Sequence, residues 1–499
     1  MKRSAFIPPI TLDRREDRPI YRQLYDWFRT AIIEGKVRPG QRLPSTRSMA
    51  AELRISRISV FSAYEQLQSE GYLETLRGSG TCVAKTIPEE AFAPTAGDNR
   101  APAQALAKSR SRKRGPSKRA LALLPPFPEL WWQLRGAFRI NNPSVDEFPF
   151  NIWTKIVARH TRTLSRGLME YGDPMGYMPV RSAIAQYLAT FRGVRCEPSQ
   201  VLITTGSQQA LQISAEALTD AGDQILMEEP GYPGARVAFM SSGAKPMPVP
   251  VDEEGLVVSK ISDRHRRANV LYVTPSHQYP LGMTMSAARR MALLKWARST
   301  DSWIIEDDYD SEYRFDGRPI ASLQGLDTHG RVIYVGTFSK VLFPALRVGY
   351  MVVPKDLVPI FVAVRDAADI FASPLLQTAL ADFIREGHFA RYIRRMRIVY
   401  MERRKALVNA IYRELGGTLE VIGAEAGMHL VGLLPRGIKD KLVSDEAARN
   451  GISIMPLSTC CLRPRSRGGL ILGYGTVNGR QINDGMQKLR ACLNRLGLQ

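Results

Sequence analysis

Lys340 closes the segment Gly336-Thr337-Phe338-Ser339-Lys340, just past the apolar run Val332-Ile333-Tyr334-Val335, and Arg347 follows seven residues later. A lysine amine can form a Schiff base with a carbonyl cofactor, and a guanidinium fork suits a phosphate, as does the hydroxyl of Thr337. Two carboxylates, Asp307 and Asp308, follow Trp303-Ile304-Ile305, and Tyr309 comes next. An ionised Asp against a pyridine nitrogen keeps it protonated and the ring electron-withdrawing, while a Tyr hydroxyl can hold a ring oxygen. Gly206-Ser207-Gln208 lies where a strand meets a helix, so its backbone N–H groups and the Ser207 hydroxyl can cradle phosphate. Tyr232, in Glu229-Pro230-Gly231-Tyr232, can stack on a ring. Taken singly these are weak signals, because an isolated lysine is nearly always a surface charge and an Asp pair after a strand often only caps a helix. All the parts of a pyridoxal phosphate site occur here in one chain: phosphate cup, aromatic, carboxylate, lysine, arginine.

A second constellation lies near the N terminus. A recognition helix needs short polar or basic side chains where it enters the major groove and an apolar opposite face to seat it. Arg57, Ser59 and Ser62 meet the first need, and Val60, Tyr64 and Leu67 the second. Arg47 opens the preceding helix, and Gly78-Ser79-Gly80 makes a tight wing that can approach a phosphate backbone.

The elements that position these residues follow from periodicity and breakers. Ile20, Leu24, Phe28 and Ile32 recur about once per turn and predict a helix ending at Glu34-Gly35. Ser45 caps a short helix to about Leu53, and Ser56 caps another that stops at Gly71. Tyr72-Leu73-Glu74-Thr75 and Thr81-Cys82-Val83 then read as strands around the wing. Helix, helix, helix, hairpin over residues 19–85 is the order of a winged helix-turn-helix. Residues 86–124 turn to Ala, Pro, Ser and basic side chains, with seven Lys or Arg between 108 and 119, and read as a flexible tether with DNA backbone or solvent around it. From 125 to 499 apolar runs such as Val201-Thr205, Val270-Val273, Trp303-Ile305 and Val332-Val335 alternate with amphipathic stretches, predicting an α/β domain with a mainly parallel sheet. In such sheets ligands bind beyond the strands' carboxyl ends, where the chemistry-bearing residues above fall.

Charge and composition bound the reading. Of the net +21, +11 sits in residues 1–120, where 23 Lys or Arg face 12 Asp or Glu, an excess suited to a polyanion partner. No run of 18 apolar residues or signal-peptide core appears, so a cytoplasmic protein without membrane contact is expected. Five cysteines without C-x-x-C spacing predict reduced thiols and no metal site.

Leu43-Pro44-Ser45-Thr46-Arg47, Ser56-Arg57-Ile58-Ser59-Val60, Ala63-Tyr64-Glu65-Gln66-Leu67 and Glu70-Gly71-Tyr72-Leu73 resemble the GntR-family DNA-binding module. That resemblance implies operator contacts from Arg47, Ser45, Ser56, Arg57, Ser59 and the wing's Gly80. Residues 145–499 resemble fold type I aminotransferases, also through Tyr171-Gly172-Asp173-Pro174-Met175-Gly176 and Thr274-Pro275-Ser276-His277-Gln278-Tyr279-Pro280-Leu281-Gly282. Together the halves resemble the MocR/GabR regulators. The resemblance implies a Schiff base at Lys340, Asp307 at the pyridine nitrogen, Tyr309 at the ring oxygen, Tyr232 on the ring face, and Ser207, Gln208, Thr337 and Arg347 about the phosphate. It further implies an amine, an amino acid or pyridoxal phosphate itself as effector, and a homodimer, head-to-tail. Two departures weigh against an efficient transaminase, although residual activity stays open. Tyr279 stands where aminotransferases commonly place the Asn of Asn-Pro-Thr-Gly. Leu470-Ile471-Leu472 replaces the Leu-Arg-Leu whose guanidinium grips a substrate carboxylate, with Arg463, Arg465 and Arg467 upstream as possible substitutes.

Overall fold

The computed structural model describes residues 9–14, 16–76, 80–86, 116–123, 135–163, 165–261, 268–315, 321–423 and 425–498. Gly78, Ser79 and residues 87–115 of the expected tether, with most of its basic run, lie outside them. The chain divides into two compact units, Met1–Lys113 and Arg114–Gln499.

In the first unit the predicted stripe becomes α1 (Ile20–Ile33), burying Leu24, Phe28 and Ile32. Ser45 Oγ accepts the Ser48 N–H at 3.2 Å and starts α2 (Thr46–Leu53). Ser56 Oγ accepts the Ile58 N–H at 3.2 Å and starts α3 (Arg57–Ser69). Val60, Ala63, Tyr64 and Leu67 bury the inner face of α3 in one cluster with Leu24 and Phe28, leaving its outer face free. Strands β1 (Leu73–Leu76) and β2 (Gly80–Val83) pair antiparallel with Leu73 opposite Val83. Losing an N-cap hydroxyl costs about 1 kcal/mol. Ser56→Ala is therefore expected to speed hydrogen exchange of the first-turn amides of α3 severalfold without altering exchange in α1.

In the second unit an eight-stranded sheet runs in the order β3 (Val201–Thr204), β10 (Gly349–Val352), β9 (Val332–Thr337), β8 (Trp303–Asp308), β7 (Ala268–Val273), β4 (Gln224–Glu229), β5 (Lys245–Asp252), β6 (Gly255–Leu256). From β9 to β5 neighbours are parallel, whereas β10 is antiparallel to both β3 and β9. Alternate residues serve opposite faces, as with Ile304 and Ile305 or Leu226 and Met227, and each face is buried in its own apolar cluster. A four-stranded antiparallel sheet follows, ordered β11 (Glu420–Ile422), β12 (His429–Leu433), β14 (Gly469–Gly473), β13 (Met455–Pro456). Tyr279 and Leu281, past β7, pack with Val431 and Ile471 of this second sheet and so close a cleft over the strand ends. Among the described residues no helix is long and apolar enough to cross a membrane.

Candidate cofactor cleft and DNA-reading face

Lys340 sits on a one-turn helix, Phe338–Val341, whose start is capped by Thr337 Oγ1 accepting the Ser339 N–H at 3.2 Å. Thr337 therefore fixes the lysine's backbone, a use beyond the phosphate contact expected of it. The ammonium donates to the Asn141 carbonyl at 2.9 Å, and Asn141 holds left-handed backbone, φ 64°. Burial lowers the Lys340 pKa to about 8, with Arg347 acting in the same direction against the pull of Asp310 and Asp307. The neutral amine is the nucleophile, so covalent capture of added pyridoxal phosphate should accelerate as pH rises through about 8 and then level off. A stopped-flow absorbance series checks this, and a rate still climbing toward an ordinary lysine pKa contradicts it.

At the end of β8 the strand alternation sends the paired aspartates to opposite faces. Asp308 is taken up by Arg192, at 2.8 Å from Nε and 2.7 Å from the terminal amine, and by the Tyr334 hydroxyl. Asp307 receives the Tyr272 hydroxyl on Oδ2 at 2.8 Å, while its buried Oδ1 has no partner among the described residues. Burial pushes Asp307 up to about 7, aided by Asp308 and Asp310 and opposed by Tyr272 and Lys340. A buried carboxylate oxygen without a donor is costly unless one arrives, and a protonated pyridine nitrogen is such a donor.

Arg347 precedes β10 in left-handed backbone, φ 51°, and its guanidinium donates to the Thr205 carbonyl. Gly206, at φ 93°, lets that guanidinium lie close over the N terminus of the helix Ser207–Leu218, where a Cβ would stand 3.1 Å from it. Backbone N–H groups of that end, Ser207 and the fork of Arg347 thus share one corner. Gln208, by contrast, spends its side-chain amide on the Gly234 carbonyl at 2.9 Å. Gly234 also makes room for the ring of Tyr232, which a Cβ would meet at 2.4 Å. Tyr232 meets Tyr279 edge to face at 5.3 Å, and Tyr279 meets Tyr309 at 5.8 Å.

The Tyr309 oxygen lies 2.9 Å from His277 Nδ1, which pairs with Asp310 at 2.9 Å. With its one Nδ1–H donated to Asp310, His277 cannot accept from Tyr309 there, which leaves the Tyr309 proton for a ring oxygen. His277 and Asp310 received no role from sequence reasoning. Their chain separation hides a contact made just past the ends of the parallel neighbours β7 and β8. Asn141 and Tyr272 were missed for the same reason, with no local signal at all.

Ile471 is fully buried on β14 against Tyr279, Leu281, Val431 and Leu457. Of the upstream arginines, Arg467 donates to the Leu434 carbonyl at 2.6 Å and pairs with Glu420, while Arg463 and Arg465 are exposed. The wall is apolar where a carboxylate anchor would be needed.

On the first unit, Arg57 and Arg47 are exposed at the starts of α3 and α2, and Ser59 is half-buried. Ser45 and Ser56 use their oxygens as caps and keep their protons to donate. Gly80, φ 83°, brings the wing against Arg42, whose terminal amine lies 3.2 Å from where a Cβ would stand. Arg42, bridged to Cys82 across the ladder, adds a wing cation that the helix-centred reading overlooked.

A winged helix-turn-helix and a fold type I aminotransferase-like domain thus occupy one chain. Residues 20–83 match the family described as bacterial regulatory proteins, gntR family, and residues 138–468 match aminotransferase class I and II. The chain belongs to the MocR-type transcription regulators, GntR-family proteins with an aminotransferase class I/II domain. It is 41% identical to the probable rhizopine catabolism regulatory protein MocR of Rhizobium meliloti, over 97% of this chain and 95% of that protein. It is 32% identical to the pyridoxine biosynthesis regulator PdxR of Corynebacterium glutamicum, over 94% of each. The crystal structure of LysN, an alpha-aminoadipate aminotransferase from Thermus thermophilus complexed with N-(5'-phosphopyridoxyl)-L-leucine, superposes with a TM-score of 0.70 at 28% identity, covering 76% of this chain and 97% of that one. Aminotransferases of this fold class use pyridoxal phosphate.

Proposed function

We propose that this regulator holds pyridoxal phosphate in the cleft and reads a small amine, an amino acid or the cofactor itself as its effector. The carrying observation is the unpartnered Asp307 Oδ1 beside the Lys340 amine, in a cleft whose far wall is the apolar Ile471. When bound, the cofactor supplies an aldehyde carbon that condenses with primary amines and a ring that withdraws electrons. Lys340 presents an amine whose neutral fraction burial increases, and Asp307 would hold a proton at the ring nitrogen. Tyr309 would donate to the ring oxygen, Tyr232 and Tyr279 would flank the ring, and Arg347, Ser207 and Thr337 would take the phosphate with the helix N terminus, to which Gln208 adds only its backbone N–H. An amine effector competes with Lys340 for the same carbon, and regulation follows if it favours one domain arrangement. Residues 19–85 form the operator-binding module, with Arg47, Ser45, Ser56, Arg57, Ser59 and Gly80 on DNA; 86–124 is the tether, except that Lys118–Ala122 near its end is a short helix within the second unit, and 125–499 is the sensor. A head-to-tail homodimer pairs two such modules, a reading supported by exposed Met169, Tyr171 and Met178, 76%, 85% and 50% accessible.

The rival is a working transaminase with a DNA anchor. Purified, cofactor-loaded protein is mixed with a panel of amino acids and a keto acid, and its mobility shift on selected DNA is followed in parallel. The regulator reading expects an effector-dependent shift without sustained turnover; steady turnover sinks it, and failure to take up pyridoxal phosphate sinks the cofactor assignment.

A further inference from the structure

On the Asp308 side of β8, a cavity of about 200 Å³ lies between the helices Met178–Arg192 and His388–Leu415 and the turn Ser311–Tyr313. That is far more than the roughly 10–15 Å³ of probe volume that one water needs. Phe191, Phe389 and Ile393 supply apolar wall. The other lining is polar and incompletely satisfied. Glu312, 9% exposed, accepts the Tyr187 hydroxyl on Oε1 at 2.6 Å, but its Oε2 has no partner among the described residues. Ser311 and Arg314 line the same cavity, and their Oγ and Nε are also buried without partners among the described residues. Buried polar atoms are normally paired, so several orphans around one void mark a missing ligand.

The charge around the cavity narrows what that ligand is. Arg192 is neutralised by Asp308. Among the described residues Arg397 donates its Nε to the Glu312 carbonyl at 2.6 Å and, like exposed Arg394, makes no ion pair. Arg314, which donates to the Thr284 hydroxyl at 2.9 Å, makes no ion pair among the described residues either, so three guanidinium groups surround a site whose lining holds one carboxyl, that of Glu312. Burial, with Asp308 adding and Tyr187 and Arg192 opposing, raises the Glu312 pKa to about 7. A phenolic hydroxyl, which both donates and accepts, pairs with that carboxyl in either protonation state.

We propose that this cavity binds a small aromatic carboxylate with a hydroxyl on the far side of its ring, the acid on Arg394 and Arg397 and the hydroxyl on Glu312 and Ser311. The site is separate from the cofactor cleft, and Arg192 joins the two by reaching from the cavity wall to Asp308, the residue after Asp307.

The probe is 4-hydroxyphenylacetate, titrated calorimetrically into the full-length protein loaded with pyridoxal phosphate. One equivalent should bind, and Arg394→Ala should weaken it about tenfold or more, the worth of one charged hydrogen bond. Ala390→Trp, which fills the cavity from its half-buried rim, should abolish binding, and Lys340→Ala should leave it unchanged. Unfolding midpoints confirm that each variant is folded, and the exposed Arg394 keeps the question answerable if the tryptophan is not tolerated. No binding to the parent protein, unchanged affinity in Arg394→Ala, or loss in Lys340→Ala overturns the proposal; the last outcome moves the acid into the cofactor cleft.

Discussion

Lys340→Ala is expected to abolish the borohydride-reducible bond between the protein and added pyridoxal phosphate completely, while the variant stays folded. The side chain is half-buried and makes one bond, to the Asn141 carbonyl, so its removal opens little space. What disappears is the only amine placed between Asp307 and Arg347 in the cleft as described. Arg347 and the helix that starts at Ser207 remain, so the phosphate is still attracted and the cofactor binds reversibly, with its aldehyde spectrum intact. Mass spectrometry after reduction reads the result directly. A reducible adduct that persists on another lysine removes the assignment of the cleft.

Arg57→Ala is expected to weaken binding to DNA selected from random duplexes by about 1–3 kcal/mol and to broaden the sequences tolerated at one position. Arg57 is exposed on the first turn of α3, whose inner face is locked into the core by Val60, Tyr64 and Leu67, so truncation removes a base contact without loosening the helix. Arg42→Ala, on the wing, should instead weaken all sequences alike and flatten the salt dependence, because a phosphate contact carries no base information. Equal binding by the Arg57→Ala chain, measured by mobility shift at several salt concentrations, removes α3 from the interface.

Much of this was legible in the sequence because the relevant signals are local. Ser45 and Ser56 mark helix starts through hydroxyls that reach only two or three residues ahead. The strands that lead to Asp307 and Lys340 begin as apolar runs, Trp303–Ile305 and Val332–Val335, because both of their faces are buried. What stayed hidden depends on chain segments meeting across the sheet. Nothing near Asp307 announces that Tyr272 will claim one oxygen and leave the other bare, and nothing near Gln208 announces that Gly234 will occupy its amide. The direction of β10 is equally silent, since a four-residue apolar strand looks the same read either way.

That direction has a mechanical consequence. Most strands of the large sheet deliver their residues to the ligand edge and then leave it through a helix, whereas β10 departs from that edge, so the chain between Lys340 and Arg347 never crosses the domain. The amine and the guanidinium are the two jaws of one short clamp. A backbone nick or a flexible insertion between Leu342 and Leu346 would leave every strand in register yet let the jaws drift apart, uncoupling the grip on the ring from the grip on the phosphate.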